Sequence, residues 1–202
     1  MSLFSDTYLT IDQNSEAIFK DKGSKFLAFA YPITNEQQVK EILQRLKKEH
    51  HTANHHCYAY RLGEDKLNVR ANDDGEPSNT AGKPILGQIQ SNDLTDICIV
   101  VVRYFGGTLL GVSGLINAYK QAAAEAIKAA NVIEKHILFS YHIQFNFKQL
   151  NEVMKLLKQL DVKITHQAFD NACEINFKVR KANAELCEEK LKKIEGLILS
   201  YK

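Results

Sequence analysis

The chain has 202 residues, of which 45% are hydrophobic and 25% charged, with a formal net charge of +2. That length holds one large domain or two small ones with cores of their own, and the balance excludes a disordered chain. The charge is too small to mark a nucleic-acid binder by itself, and the longest unbroken apolar run, Ile97–Val102, is far too short to span a bilayer.

In chain order, the opening MSLFSDTYLT lacks a basic segment followed by an apolar one, so no secretory signal is read there. Short strands are expected at Tyr8–Ile11, Ala17–Lys20 and Lys25–Tyr31. Val39, Ile42, Leu43 and Leu46 then mark a helix over Asn35–Glu49. Cys57–Leu62 reads as a strand, Thr80–Gln90 as a helix with Thr80 as its N-cap, and Ile97–Tyr104 as a central strand. A last helix is expected from about Ser113 to Ala130, with Ile116, Tyr119, Ala123, Ile127 and Ala130 inward. Between the first two of these helices, RANDDGEPSNTAG (70–82) is polar and full of turn formers, a length more often functional than idle in a compact domain. A mixed α/β domain over 1–135 follows, with a short boundary near Asn131–Lys135.

The remainder, 136–202, is more regular. Ile137, Phe139, Tyr141, Ile143, Phe145 and Phe147 alternate with mostly polar residues as a half-buried strand does. Leu150, Val153, Met154 and Leu157 fall on one helix stripe. Val162–Phe169 and Cys173–Val179 read as a hairpin turning at Asp170-Asn171. A helix over Lys181–Glu195, stopped by Gly196, and a strand at Leu197–Tyr201 complete a βαββαβ, ferredoxin-like domain. The fold class is therefore α/β (α+β) in two domains. Residues 1–135 carry 15 Lys/Arg against 16 Asp/Glu and residues 136–202 carry 11 against 8, so any basic surface must be a local patch.

The stretch with the most unusual composition is VVVRYFGGTLLGVSGL (100–115), which places Gly106, Gly107, Gly111 and Gly114 after a buried strand. A strand, a glycine turn and a helix start can form a backbone anion site. The same glycines can equally serve tight turns and close packing, and neither GxGxxG nor GxxxxGK[ST] is present. Arg103, next to an apolar run, is expected to leave the core at the strand end beside this loop. His50, His51, His55, His56 and Cys57 crowd HHTANHHCYAY, but their spacing does not fit a closed tetrahedral metal site, and a polar rim touching a polyanion through His55 fits better. Asp73, Asp74 and Glu76 in DDGEP read as a solvated acidic turn. No GxSxG elbow or HExxH occurs, so no catalytic residue, metal or cofactor is expected. Cys57, Cys98, Cys173 and Cys187 are scattered without a CxxC pair and read as reduced thiols of a cytoplasmic protein.

GSKFLAFAYPI (23–33), NHHCYAYRLG (54–63), NDDGEPSNTAGKPIL (72–86) and VVVRYFGGTLLGVSGL together resemble the YigZ/IMPACT family over almost the whole chain. The resemblance implies an N-terminal domain with the β-α-β topology of ribosomal-protein and elongation-factor modules. It also implies a C-terminal domain like the last domain of elongation factor G. That pairing suggests RNA or ribosome contact and modulation of translation, linked to stress in the eukaryotic relatives. Those relatives reach a kinase activator through an RWD domain that this chain lacks, so that partnership is not carried over. The implied binding face holds Arg70, Lys83 and Arg103 with the glycine loops containing Gly106, Gly107 and Gly111. A protein partner in translation is compatible with this reading; membrane association and sequence-specific DNA binding are not expected. Two further readings are an enzyme acting on a phosphorylated small molecule, which would need a serine-rich nucleotide loop absent here, and a protein-interaction adaptor.

Overall fold

The run Ile97–Val102 has no polar face to offer water, so it can be satisfied only by helices on both sides of its sheet. That is what forms. The computed structural model describes residues 6–169 and 172–201. Contacts divide the chain into two compact units, one spanning Tyr8–Lys135 and one from His136 onward that also takes in Asp6 and Thr7.

The elements of the first unit, in order, are β1 (Thr7–Ile11), β2 (Ser15–Asp21), β3 (Ser24–Pro32), α1 (Glu36–Glu49), β4 (His55–Leu62), β5 (Asn68–Asn72), α2 (Gly82–Ser91), β6 (Ile97–Tyr104), α3 (Gly111–Ala129) and β7 (Val132–His136). Strands pair in the order β2-β3-β6-β4-β5, every neighbouring pair antiparallel. β3 and β4 flank β6 and run parallel to each other, so α1 is the crossover between them. Alternation then sorts the side chains of β6. Ile97, Ile99 and Val101 pack with α2 and α3, while Cys98, Val100 and Val102 pack against α1. β1 and β7 pair as a separate two-stranded sheet.

Two helix starts differ from expectation. Helix α1 begins as its sequence suggests, with Asn35 Oδ1 accepting from Gln38 N at 3.0 Å. Helix α2 is not capped by Thr80, whose hydroxyl donates instead to the Pro77 carbonyl at 2.6 Å. Asp73 does that work from nine residues away: its Oδ1 accepts from Ala81 N (3.0 Å) and Gly82 N (2.8 Å). Helix α3 begins two residues earlier than expected and buries Leu115, Ala118, Tyr119, Ala122, Ala123, Ala126 and Ile127. Ile116, given an inward place by the sequence reading, is 39% exposed. The alanines let α3 lie close to the sheet, so the buried stripe follows small residues rather than the bulkiest ones.

The second unit comprises β8 (Leu138–Phe145), a single 3-10 turn at Phe147–Gln149, α4 (Leu150–Gln159), β9 (Lys163–Phe169), β10 (Cys173–Arg180), α5 (Lys181–Leu191) and β11 (Ile198–Tyr201). Its strand order, β11-β8-β10-β9 with antiparallel neighbours, is the split-βαβ ferredoxin-like arrangement. The turn expected at Asp170-Asn171 lies outside the described residues. Asp6 belongs to this unit: its carbonyl accepts from Ile137 N at 2.7 Å and its Oδ1 caps α5 through Ala182 N at 2.8 Å. Glu188 on α5 accepts from Tyr141 Oη at 2.8 Å, from Lys192 Nζ at 2.9 Å and from the Tyr201 hydroxyl. The four cysteines are free and buried. Among the described residues no helix is long and apolar enough to cross a membrane.

Candidate functional site

The polar segment 70–82 is a structured clasp rather than a solvated turn. Asp73 binds the N–H groups of Asn79, Ala81 and Gly82, Asp74 Oδ2 accepts from His56 N at 2.7 Å, and the chain just after them turns inward to bury Glu76 at 8% exposure. The expectation of a solvated acidic turn is thus corrected. A carboxylate can be drawn into the interior only if something there compensates it.

The compensation is Arg103. On β6 it shares the face of Ile97, Ile99 and Val101, which α3 covers, and it is 5% exposed. It does not leave the core as the sequence reading expected, because both faces of its strand are roofed by helices and an acid waits on the inside. Arg103 Nη1 lies 2.6 Å from Glu76 Oε1, and Tyr119 Oη donates to the same oxygen at 2.7 Å. Nη2 reaches Ser24 Oγ at 3.5 Å, and the guanidinium sits 5.5 Å from the Phe26 ring centre and 5.7 Å from that of Phe105. Arg103 Nε, also buried, has no hydrogen-bond partner among the described residues. Cys57 Sγ contacts Tyr119 Oη at 3.3 Å and the Asp73 carbonyl at 3.0 Å. Burial pushes the Cys57 thiol and the Tyr119 phenol far above their ordinary ranges, so both stay protonated and neither is a nucleophile at neutral pH.

Beside this cluster opens a pocket of about 440 Å³. Arg103, Glu76 and His55 border it on one side, and the segment following β6 supplies Phe105, Leu109, Val112 and Leu115 on the other. Leu109 is 82% exposed and Val112 60%, an apolar rim left open. His55 Nδ1 lies 2.8 Å from the Asp74 carbonyl; a carbonyl only accepts, so Nδ1 carries a proton and Nε2 is left 3.9 Å from Glu76 Oε1. Of these residues the sequence reading singled out Arg103 and His55 as binding residues; it missed the leucine rim. The signal was there in TLLGV (108–112), more apolar side chains than a short glycine loop can bury: Leu110 enters the core while Leu109 and Val112 stay out.

The glycines around this pocket serve different ends. Gly106 lies against Gly23, where a Cβ on either would strike backbone. Gly107 and Gly111 have φ of +84° and +72° with open space around the missing Cβ.

The three cations expected to act together are separated. Arg70 on β5 is exposed and pairs in register with Tyr60, so it lies on the α1 face of the sheet. Lys83 is exposed on α2, which packs on the opposite face, and Arg103 is interior. Arg70 instead shares its face with a shallow cleft of about 310 Å³ between α1 and β4, lined by Lys40, Leu43, Gln44, Lys47, His56 and Tyr58, with Asp74 at its edge. Lys47 Nζ contacts Asp74 Oδ1 at 3.2 Å in a half-exposed pair. Burial lowers the His56 pKa, outweighing the pull of Asp74, so the imidazole is neutral at pH 7. The histidines disperse too: His50 Nδ1 meets Tyr104 Oη at 2.9 Å, while His55 and His56 point to opposite faces of β4. Among the described residues no group of three His, Cys, Asp or Glu is placed to hold a metal ion.

Residues 22–127 match the Impact N-terminal domain. A Bacillus subtilis protein, IMPACT family member YvyE, is 36% identical over 153 residues, which cover 76% of this chain and 70% of that protein. The Escherichia coli IMPACT family member YigZ is 37% identical over 153 residues, covering 73% and 75% respectively. In Saccharomyces cerevisiae, a protein IMPACT homolog is 36% identical over 114 residues, covering 54% and 43%. A crystal structure of a hypothetical protein superposes with a TM-score of 0.76 at 30% identity, covering 97% of each chain.

Proposed function

This chain belongs to the IMPACT family, and from that premise we propose that it is a non-catalytic protein that binds RNA or a ribosomal surface and thereby modulates translation. The observation that carries the reading is the cleft on the α1 face, where Lys40 and Lys47 flank the half-buried Tyr58 and Arg70 lies on the neighbouring edge strand. Single-stranded nucleic acid is held by this combination, cations along the backbone and an aromatic ring for a base. Asp74 does not close the cleft to phosphate, since an exposed pair such as Lys47–Asp74 is worth at most about 1 kcal/mol and yields to a competing anion. The link to translation rests on the family resemblance in the sequence.

The open face of the ferredoxin-like sheet contributes differently. The register places Ser140, His142 and Gln144 of β8 beside Lys178, Asn176 and Glu174 of β10 on that face, polar side chains whose one ring, His142, is tied through Nδ1 to Asn176 Oδ1 at 2.8 Å. Stacking of bases is therefore assigned to the Tyr58 cleft and not to this sheet.

Co-sedimentation of the full chain with ribosomes, with and without RNase, tests the reading. RNase-sensitive association with ribosomal particles is the expected result. Partners that survive RNase would favour the adaptor reading, and a stoichiometric small ligand without RNA would favour the enzyme reading; either overturns the proposal.

A further inference from the structure

In the second unit, β9 closes one side of the sheet, paired to β10 and, among the described residues, to no other strand. Such an edge turns every second N–H and C=O outward, and these groups match the backbone of another extended chain. Register sorts its side chains. Ile164 stands opposite the buried Phe177, on the face the helices cover, while Lys163 stands opposite Lys178 on the open face. Between α4 and the start of β9 lies a groove of about 550 Å³, lined by Met154, Leu157, Val162 and Ile164 with Lys155 and Lys158. Among the described residues no side chain of β10 lines it, so the groove opens along the free side of β9.

The charges decide what can occupy this edge. Lys155, Lys158, Lys163 and Lys178 are exposed, and none pairs with an acid among the described residues. Lys163 and Lys178 face each other directly across the strand pair, an unfavourable arrangement that an anion relieves. Glu152 and Asp161 do not line the groove, and Glu174, on the open face, accepts from Gln144 Nε2 at 2.8 Å. A second copy of this edge would bring lysine against lysine, and the bulge at Thr165 interrupts long regular pairing, so β9 is guarded against its own kind. A short acidic strand meets no such repulsion.

We propose that β9 is the docking edge for an extended acidic segment of a partner protein. The segment adds as a fifth strand, seats a branched apolar side chain in the groove beside α4, and places carboxylates toward Lys155, Lys158 and Lys163. A strand of this kind buries less than about 1,200 Å², the size of weak, transient contacts. It dissociates during sedimentation and leaves the ribosome test of RNA binding unaffected.

Nitrogen-15 NMR titration of the full chain with the peptide acetyl-Asp-Glu-Ile-Glu-Asp-amide tests this. The expected result is saturable movement of the Met154, Lys158 and Ile164 amides, with downfield shifts at alternate amide protons of β9 as they gain carbonyl acceptors. An added strand uses every second N–H of the peptide. Of two copies N-methylated on alternate amides, one should therefore bind like the unmodified peptide and the other at least tenfold more weakly. The double variant Lys155→Glu, Lys158→Glu, at two exposed positions, should weaken the peptide about tenfold while its own spectrum stays dispersed. A peptide with lysine in place of each acid should not bind. The proposal is overturned by β9 amides that do not move, by equal effects of the two methylation patterns, or by undiminished binding to the double variant. Equal binding of the lysine peptide, or a single-stranded RNA that moves the same amides at lower concentration, overturns it as well.

Discussion

Gly106 and Gly23 touch backbone to backbone. A Cβ on Gly106 would stand 1.9 Å from the Gly23 carbonyl carbon, and one on Gly23 would stand 2.8 Å from the Gly106 carbonyl oxygen. Gly106 N also donates to Ser24 Oγ at 3.2 Å, so the contact fixes the strand end that holds Arg103. The bare backbone at this point is a joint between the β2–β3 turn and the loop after β6.

Gly106→Ala should therefore destabilise the first unit by about 3 kcal/mol or more, because backbone on both sides must move. Gly107→Ala and Gly111→Ala meet open space and should lose only about 1 kcal/mol, the cost of a positive φ. Chemical denaturation of the three variants decides it; equal losses at all three positions would dissolve the distinction.

The Arg103–Glu76 pair predicts a strong non-additivity. Removing one partner, as in Arg103→Met or Glu76→Gln, leaves a buried charge alone and should cost about 3–5 kcal/mol. The double variant should cost clearly less than the two singles together. A double-mutant cycle by urea unfolding reads this directly, and additive losses would mean the two groups do not compensate each other.

Asp73 accepts three backbone N–H groups at the start of α2 and in the loop before it. Asp73→Ala should lower stability by roughly 2 kcal/mol, at the upper end for a helix cap. Thr80→Ala should cost less, since its hydroxyl makes one local bond to the Pro77 carbonyl. Thermal melts that rank the two variants the other way would return the cap to Thr80.

In the second unit, hydrogen bonds from Tyr201, Lys192 and Tyr141 hold the Glu188 carboxyl down to about 2, against an ordinary 4.5. A folded value below the unfolded one gives a contribution that is complete above about pH 4.5 and is lost as pH falls toward 2. Melting of Glu188→Gln should accordingly show a weaker pH dependence than the parent between those limits. Parallel curves would place the acid sensitivity elsewhere.

Much of the fold was legible because its long elements carry a strong period. The doubly buried β6, the stripe of α1 and the βαββαβ order from β8 to β11 each follow from hydrophobic spacing alone. The sequence reading missed β5 and β7 for one reason: NVRAN and VIEKH are largely exposed, so no alternation betrays them and only backbone pairing makes them strands. The site was half legible. Glycine crowding and Arg103 draw attention to the loop that borders the pocket, but the acid that keeps Arg103 inside lies 27 residues earlier in a segment whose composition looks solvated. Long-range pairing of that kind leaves no local mark. Arg70 and Lys83 are both exposed, yet strand parity, invisible until β5 was known to be a strand, puts Arg70 on the face opposite the one covered by α2 and Lys83.

The proposed RNA contacts on the α1 face are Lys40, Lys47 and Arg70. The most direct test is the salt dependence of single-stranded RNA binding for the parent and for the Lys40→Ala, Lys47→Ala, Arg70→Ala triple variant. Each phosphate contact contributes about 0.7 to the slope of log affinity against log salt, so the variant should bind more weakly with a slope shallower by about 2. Lys83→Ala, on the other face, should match the parent. A triple variant with the parent's affinity and slope would mean that these three cations do not hold RNA.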